Sequence, residues 1–305
     1  MRQFVFCVCV ALFLSCSATD TDTDGNAEKP LEPEAFPVLW EVSEGLEAPE
    51  SVYLDADSGF LFVSQVGDGG PTGKDGDGRI AKLSTDGNVI DGKWITGLNA
   101  PKGLRSHGGR LWVSDIDRIV GIDIEKGEIT DTIDVEGAKF LNDVACDADG
   151  AVYVSDMTTS KIYRAKNGEV SVFAEGDEME YPNGLLVDGD RLIVAAWGTE
   201  DVPGTLFSLD LKTTAKTPIT QEPTGKLDGV EVDGKGGYIV TDWMVGKVFQ
   251  IAGDGATETL LELEQGTADL AYLADKGVLI LPRMSEGKVT AYDLSKLDGT
   301  GSAVP

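Results

Sequence analysis

The sequence predicts an all-β protein, a six-bladed β-propeller closed by an N-terminal strand. Three observations carry that prediction. A frame of two short apolar runs around an Asp/Gly-rich turn recurs six times: "APESVYLDADSGFLFVSQ" (48–65), "APKGLRSHGGRLWVSD" (100–115), "FLNDVACDADGAVYVSD" (140–156), "YPNGLLVDGDRLIVAAW" (181–197), "KLDGVEVDGKGGYIVTD" (226–242) and "GTADLAYLADKGVLILPR" (266–283). Each copy reads as a β-hairpin. The period is roughly 40–50 residues, that of propeller blades. The composition agrees: 38 glycines, 7% aromatic residues and 41% hydrophobic residues suit many short strands and tight turns over a packed core. A third strand follows several hairpins, as in "KIYRAK", "TLFSLD", "KVFQIA" and "KVTAYD". No Gly-His…Trp-Asp signature is present, which argues against the WD40 type.

From the N-terminus, residues 1–16 carry one positive charge, Arg2, and then an apolar run too short to span a bilayer. The run ends in "FLSC", which resembles the lipobox of bacterial lipoproteins, so Cys16 is the expected lipidation site. The alternative is an ordinary secretory signal cleaved nearby. Residues 17–35 are acidic and Pro-containing and read as a disordered tether. The expectation is an exported chain, lipid-anchored to a bacterial membrane on the periplasmic side or the cell surface. Its membrane contact would run only through the lipid. "FPVLWEV" (36–42) is expected to complete the last blade, making 36–305 a single domain.

The net charge of −28 excludes binding to nucleic acid through phosphates. Cys7, Cys9 and Cys16 belong to the leader, so the body's lone Cys146 has no disulfide partner there. His107 is the only histidine and sits in a turn, "SHGGR", which argues against a Ser-His-Asp triad and a histidine-based zinc site.

In a propeller the first strand of each blade lines the axis, so equivalent residues form a ring. The position that varies most in the frame gives Glu50, Lys102, Asn142, Asn183, Asp228 and Ala268. The ends of the second strands give Gln65, Asp115, Asp156, Ala196, Asp242 and Arg283, and both rings are expected at one mouth. Trp197 and Trp243 follow the second ring as pocket walls. Two carboxylates and an amide oxygen are hard donors, suited to calcium, magnesium or manganese. Asn-Gly and Asp-Gly are also common turn pairs. Any one of these residues alone is more often a turn residue; their recurrence at one position of the frame points to a site. The loop "GDGGPTGKDGDGRI" (67–80) fits neither a phosphate loop nor an EF-hand and reads as a cover over the mouth.

With these motifs, residues 40–295 resemble the senescence marker protein/gluconolactonase (regucalcin-like) family. The resemblance rests on "PESV" at Glu50, "PNGL" at Asn183, "LDGV" at Asp228 and "LND" at Asn142. It implies a six-bladed propeller with a divalent metal held by Glu50, Asn183 and Asp228, and Asn142 as a substrate contact. Calcium is favoured, with magnesium, manganese and zinc as alternatives. Two features of the sugar-lactone members are missing: an arginine where Phe140 stands, and a glutamate in the loop "DMTTSKIY". Lys102 is a third departure. It would either pair with Glu50 or Asp228 in place of the metal, or bind an anionic substrate beside it.

The expected activity is metal-dependent hydrolysis of a lactone or ester by a monomer, with Asp228 as ligand and general base. Lys102 or Arg283 would hold an anionic end of the small-molecule substrate. Trp197 and Trp243 would hold its apolar body, and Asn142, Asp115, Asp156 and Asp242 would line the mouth. The alternative is a non-enzymatic propeller that binds a small ligand or partner protein.

Overall fold

A computed structural model describes residues 36–297. The expected lipidation site Cys16, the signal segment and the tether lie outside the described residues. The chain starts with β1 (Val38–Val42). Blade one is β2 (Pro49–Asp55), β3 (Phe60–Gln65), β4 (Gly78–Ser84) and β5 (Val89–Leu98). Blade two is β6 (Pro101–His107), β7 (Arg110–Asp115), β8 (Arg118–Asp123) and β9 (Glu128–Asp134). Blade three is β10 (Leu141–Cys146), β11 (Val152–Asp156), β12 (Lys161–Lys166) and β13 (Glu169–Glu175). Blade four is β14 (Pro182–Asp188), β15 (Arg191–Ala196), β16 (Leu206–Asp210) and β17 (Lys216–Pro218). Blade five is β18 (Leu227–Val232), β19 (Tyr238–Asp242), β20 (Lys247–Ile251) and β21 (Thr257–Glu262). Blade six is β22 (Ala271–Leu273), β23 (Val278–Arg283) and β24 (Lys288–Asp293), with β1 as its outer strand. The six-bladed all-β prediction and the N-terminal closure are both observed. The helical content of the described residues is two single 3₁₀ turns, Asp177–Met179 and Met284–Glu286.

The blades pack face to face, and six core clusters each join a pair of neighbours. Phe62, Ile80 and Leu98 of blade one meet Leu104, Leu111 and Val120 of blade two, for example. The second strands are therefore buried on both faces. They read as continuous apolar runs such as "LIVAA" and "VLILP" rather than as alternating ones. Blade six joins blade one in the same way, through Val52, Leu61 and Val63 against Ile280, Val289 and Ala291.

Two further devices seal the ring. β1 pairs with β24, setting Trp40 opposite Ala291 and Val42 opposite Val289, and the Trp40 indole donates to the Thr85 carbonyl of blade one at 3.2 Å. At the axis, the Asp269 amide donates to the Glu50 carbonyl at 3.1 Å, and the Ser51 hydroxyl donates to the Asp269 carboxylate at 2.6 Å. The registers orient β1: Val42 lies at the end of blade six that carries Arg283, and Val38 at the other. The chain thus enters the ring on the face opposite the mouth.

Candidate functional site

Each of the first five inner strands breaks its register near its start. Pro49 pairs with Gln65 but Val52 with Val63, Leu141 with Asp156 but Val144 with Val154, and Leu227 with Asp242 but Val230 with Val240. One extra residue is inserted each time, a β-bulge that re-aims a side chain. The variable position of the frame sits in that bulge. The bulge is held from behind by the hydroxyl one residue before the end of the second strand. Ser64 accepts from the Ser51 amide, Ser155 from the Asp143 amide and Thr241 from the Gly229 amide. Ser155 and Thr241 also donate to the ring-residue carbonyl of the next blade, Asn183 and Ala268 respectively. The recurring "VSD" and "VTD" of the sequence are this clamp.

The Asn-Gly and Asp-Gly pairs of the ring are strand residues, not turns. A Cβ on Gly184 would stand 1.8 Å from the Asp228 carbonyl oxygen, and one on Gly229 2.7 Å from Asp269 Cα. Glycine is required there because the next inner strand passes so close, not because the backbone turns.

Glu50, Lys102, Asn142, Asn183 and Asp228 are all buried, as the ring requires. Asn183 donates its amide to the Leu227 carbonyl at 3.0 Å, which leaves Oδ1 buried without a partner. Glu50 Oε2 is likewise buried and unpaired. Burial pushes Glu50 well above the usual carboxylate range; repulsion from Asp228 adds to this and Lys102 opposes it. Burial and then Asp269 push Asp228 well up. Orphaned acceptors of this kind are costly, and a hard cation would satisfy them. The donor set of two carboxylates and one amide oxygen fits calcium, magnesium or manganese better than zinc. Among the described residues no three His, Cys, Asp or Glu side chains form a metal-sized cluster, so the third protein ligand would be the Asn183 amide.

Lys102 directs its ammonium away from the carboxylates of the ring. Its Nζ donates to the Pro71 carbonyl at 2.9 Å and the Ala100 carbonyl at 3.0 Å, and stands 4.5 Å from the Phe140 ring centroid. Among the described residues no ion pair joins it to Glu50 or Asp228; it acts on Glu50 only through its field. Burial lowers its own pKa. The contact with Pro71 draws the loop between β3 and β4 over the mouth, and an ion pair between Lys74 and Asp117 holds the loop's far side.

The second ring does different work from the one expected. Asp115 accepts from the Asn99 and Ala100 amides and binds Arg118, Asp156 accepts from Lys139 and Phe140, and Asp242 accepts from Lys226. Asp156 and Asp242 also cap the turn that follows, through Thr158 and Met244. These carboxylates pin the entry to their own inner strands. Gln65 does the same through the Glu47 amide. Arg283 binds Glu286 and the Tyr292 hydroxyl. Trp197 and Trp243 do come together, with ring centroids 6.0 Å apart and planes at 49°.

Sequence reasoning missed a second axial layer. Arg105 of blade two and Glu231 of blade five stand opposite each other in a six-membered ring, and their side chains meet at 2.6 Å across the axis. Asp143 and Asp269 also face the Arg105 guanidinium electrostatically. The signal was present: a charge interrupts the apolar run at the same place in "GLRSH" and "GVEVD", with opposite signs three blades apart.

Asp143 is pushed up to about 7, chiefly by burial, although Arg105 and the Leu185 and Val144 amides oppose the shift. A carboxyl raised in the folded state adds stability that is present below its unfolded pKa and lost as pH rises through the folded value. The window here is pH 4 to 7. Metal-free protein is therefore expected to melt higher at pH 5 than at pH 7.5. Thermal melts in chelator check this, and Asp143→Asn should flatten the slope; a slope unchanged by the variant would sink the assignment.

A family model for the SMP-30/Gluconolactonase/LRE-like region matches residues 79–268, well over half of the chain. The chain belongs to that family. The matched region of the SMP-30/gluconolactonase family contains Lys102, Asn142, Asn183 and Asp228; Glu50 lies before it. No curated protein sequence matches significantly. Among solved structures, a gluconolactonase from Xanthomonas campestris superposes with a TM-score of 0.60 at 16% identity, covering 81% of this chain and 86% of its own. An inactive virginiamycin B lyase from Staphylococcus aureus, bound to quinupristin, gives 0.58 at 13% identity, covering 85% and 99%. At these identities the superpositions show the shared propeller fold.

Proposed function

We propose that this family member is a metal-dependent hydrolase of a lactone or ester, working at the mouth of the propeller. The observation that carries the reading is the pair of buried, unpartnered oxygens, Glu50 Oε2 and Asn183 Oδ1, beside the Asp228 carboxylate. Glu50, Asn183 and Asp228 would hold a divalent cation, which when bound supplies Lewis acidity towards a carbonyl oxygen.

The chain's own groups supply the rest. Asp228 accepts the proton of the attacking water. Asn142, one blade from Asn183, orients the substrate through its amide. The loop drawn down by Lys102 restricts water at the mouth. Arg105 and Glu231 close the axis below the ring, so substrate and product share one entrance.

The test is a calorimetric calcium titration of metal-stripped protein beside Glu50→Gln, with magnesium and manganese in parallel. One-site binding is expected, weakened at least about a hundredfold in the variant, since a ligand and a charge are lost together. Binding of equal strength in the variant would move the metal elsewhere. Absence of binding to the wild type would favour a ligand-binding propeller without catalysis.

A further inference from the structure

We infer that the site selects an uncharged, apolar lactone or ester, seated with its acyl or aryl body in the corner formed by Trp197 and Trp243. The inference rests on the hydrolase reading and adds the substrate class. It starts from the two cations that would serve an anionic substrate: both have partners already, and only the Arg283 Nε is left buried without one. Lys102 is only 1% exposed and spends its ammonium on two backbone carbonyls and the Phe140 face. Arg283 is neutralised by Glu286 and donates to Tyr292.

The axis is also acidic. Glu50, Asp143, Asp228, Glu231 and Asp269 are buried or nearly so, against Lys102 and Arg105. The chain as a whole carries −28. An anion approaching the mouth meets a repulsive field.

The apolar side is equally defined. Trp197 and Trp243 directly follow β15 and β19, in the two blades whose inner strands supply Asn183 and Asp228. Around them the mouth-side connections expose Tyr181 (39%), Val202 (51%), Met244 (43%) and Val245 (54%). Large exposed apolar side chains gathered on two adjacent blades beside a polar ring mark a binding surface. The corner is also held in place. The Trp197 amide donates to the Tyr181 carbonyl at 3.0 Å and the Trp243 amide to Lys226 at 3.1 Å. Lys226 in turn donates to the Thr199 carbonyl of the neighbouring loop. Tyr181 adopts φ 58°, a left-handed backbone that is uncommon for a bulky residue. A polyhydroxylated lactone would set hydroxyls against these rings without partners.

The experiment uses metal-loaded full-length protein and a series of γ-lactones from butyrolactone to dodecanolactone. Gluconolactone and a carboxylate-bearing lactone serve as comparisons. Turnover and tryptophan fluorescence are read in parallel. The expected result is a kcat/KM that rises about fourfold per added methylene over the first several carbons, with the carboxylate-bearing lactone at least about tenfold below its neutral counterpart. Trp197→Ala and Trp243→Ala should flatten the series. Hydrolysis with no chain-length dependence, or with gluconolactone preferred, would overturn this inference and leave the hydrolase reading standing. Chain-length-dependent quenching that the tryptophan variants abolish, without turnover of any lactone, would support the apolar site while overturning hydrolysis. Neither quenching nor turnover would overturn both.

Discussion

Asp228→Asn is expected to lower turnover of any lactone or ester substrate by at least about a thousandfold while raising the melting temperature of the metal-free protein. On the proposed function, the loss follows from removing a metal ligand and the proton acceptor in one step. The gain follows from the same burial. Asp228 is held well above its ordinary pKa by desolvation and by Asp269, so its charge costs folding free energy at neutral pH. The amide carries no charge to desolvate. Function and stability should therefore move in opposite directions at this residue, as at strained or desolvated active sites in general. Turnover assays and thermal melts in chelator check the two halves. A variant that melts lower and works as well as the wild type would show that Asp228 is a structural residue.

Arg105→Met should have the largest effect on stability. Among the described residues its guanidinium is the cation facing Glu231, Asp143 and Asp269 in that layer of the axis. The side chains of Arg105 and Glu231 are 12% and 14% exposed, so the charges left behind would be largely uncompensated. Breaking a buried pair from one side costs about 3–5 kcal/mol. Urea unfolding should place the loss in that range. The double variant Arg105→Met, Glu231→Met should recover most of it, because an apolar pair of similar volume replaces the ion pair without an orphan. A single variant that loses under about 1 kcal/mol would mean that water reaches the pair.

The second strands were legible in the sequence because burial on both faces writes unbroken apolar runs, and the inner strands because their frame repeats. The fourth strands were not. β9 reads "EITDTID" and β13 "EVSVFAE", with exposed or half-exposed residues throughout. A strand with one side in solvent and its neighbour on the other carries little hydrophobic signal. β1 was legible as a closing strand because "VLWEV" had no other partner in the chain order. The ring positions were legible through repetition, since the same bulge occurs in five blades. The role of the second ring was not, because a buried aspartate at a strand end reads alike whether it meets solvent or backbone amides. Asp115, Asp156 and Asp242 were placed correctly along the chain, and only coordinates reveal that they face amides. Lys102 was visible as a departure, but its partner Pro71 lies in a loop whose path no periodicity foretells.

The direction of β1 sets the face of the propeller on which the ring is closed. Val38 starts that strand on the face away from the ring of bulged residues, and β24 ends there as well, at Asp293. Both strand ends of the closure thus share the face of the hairpin tips, away from the tryptophan corner. A bulky label coupled at Val38 or Asp293 should therefore leave the on-rates of small molecules at the mouth unchanged.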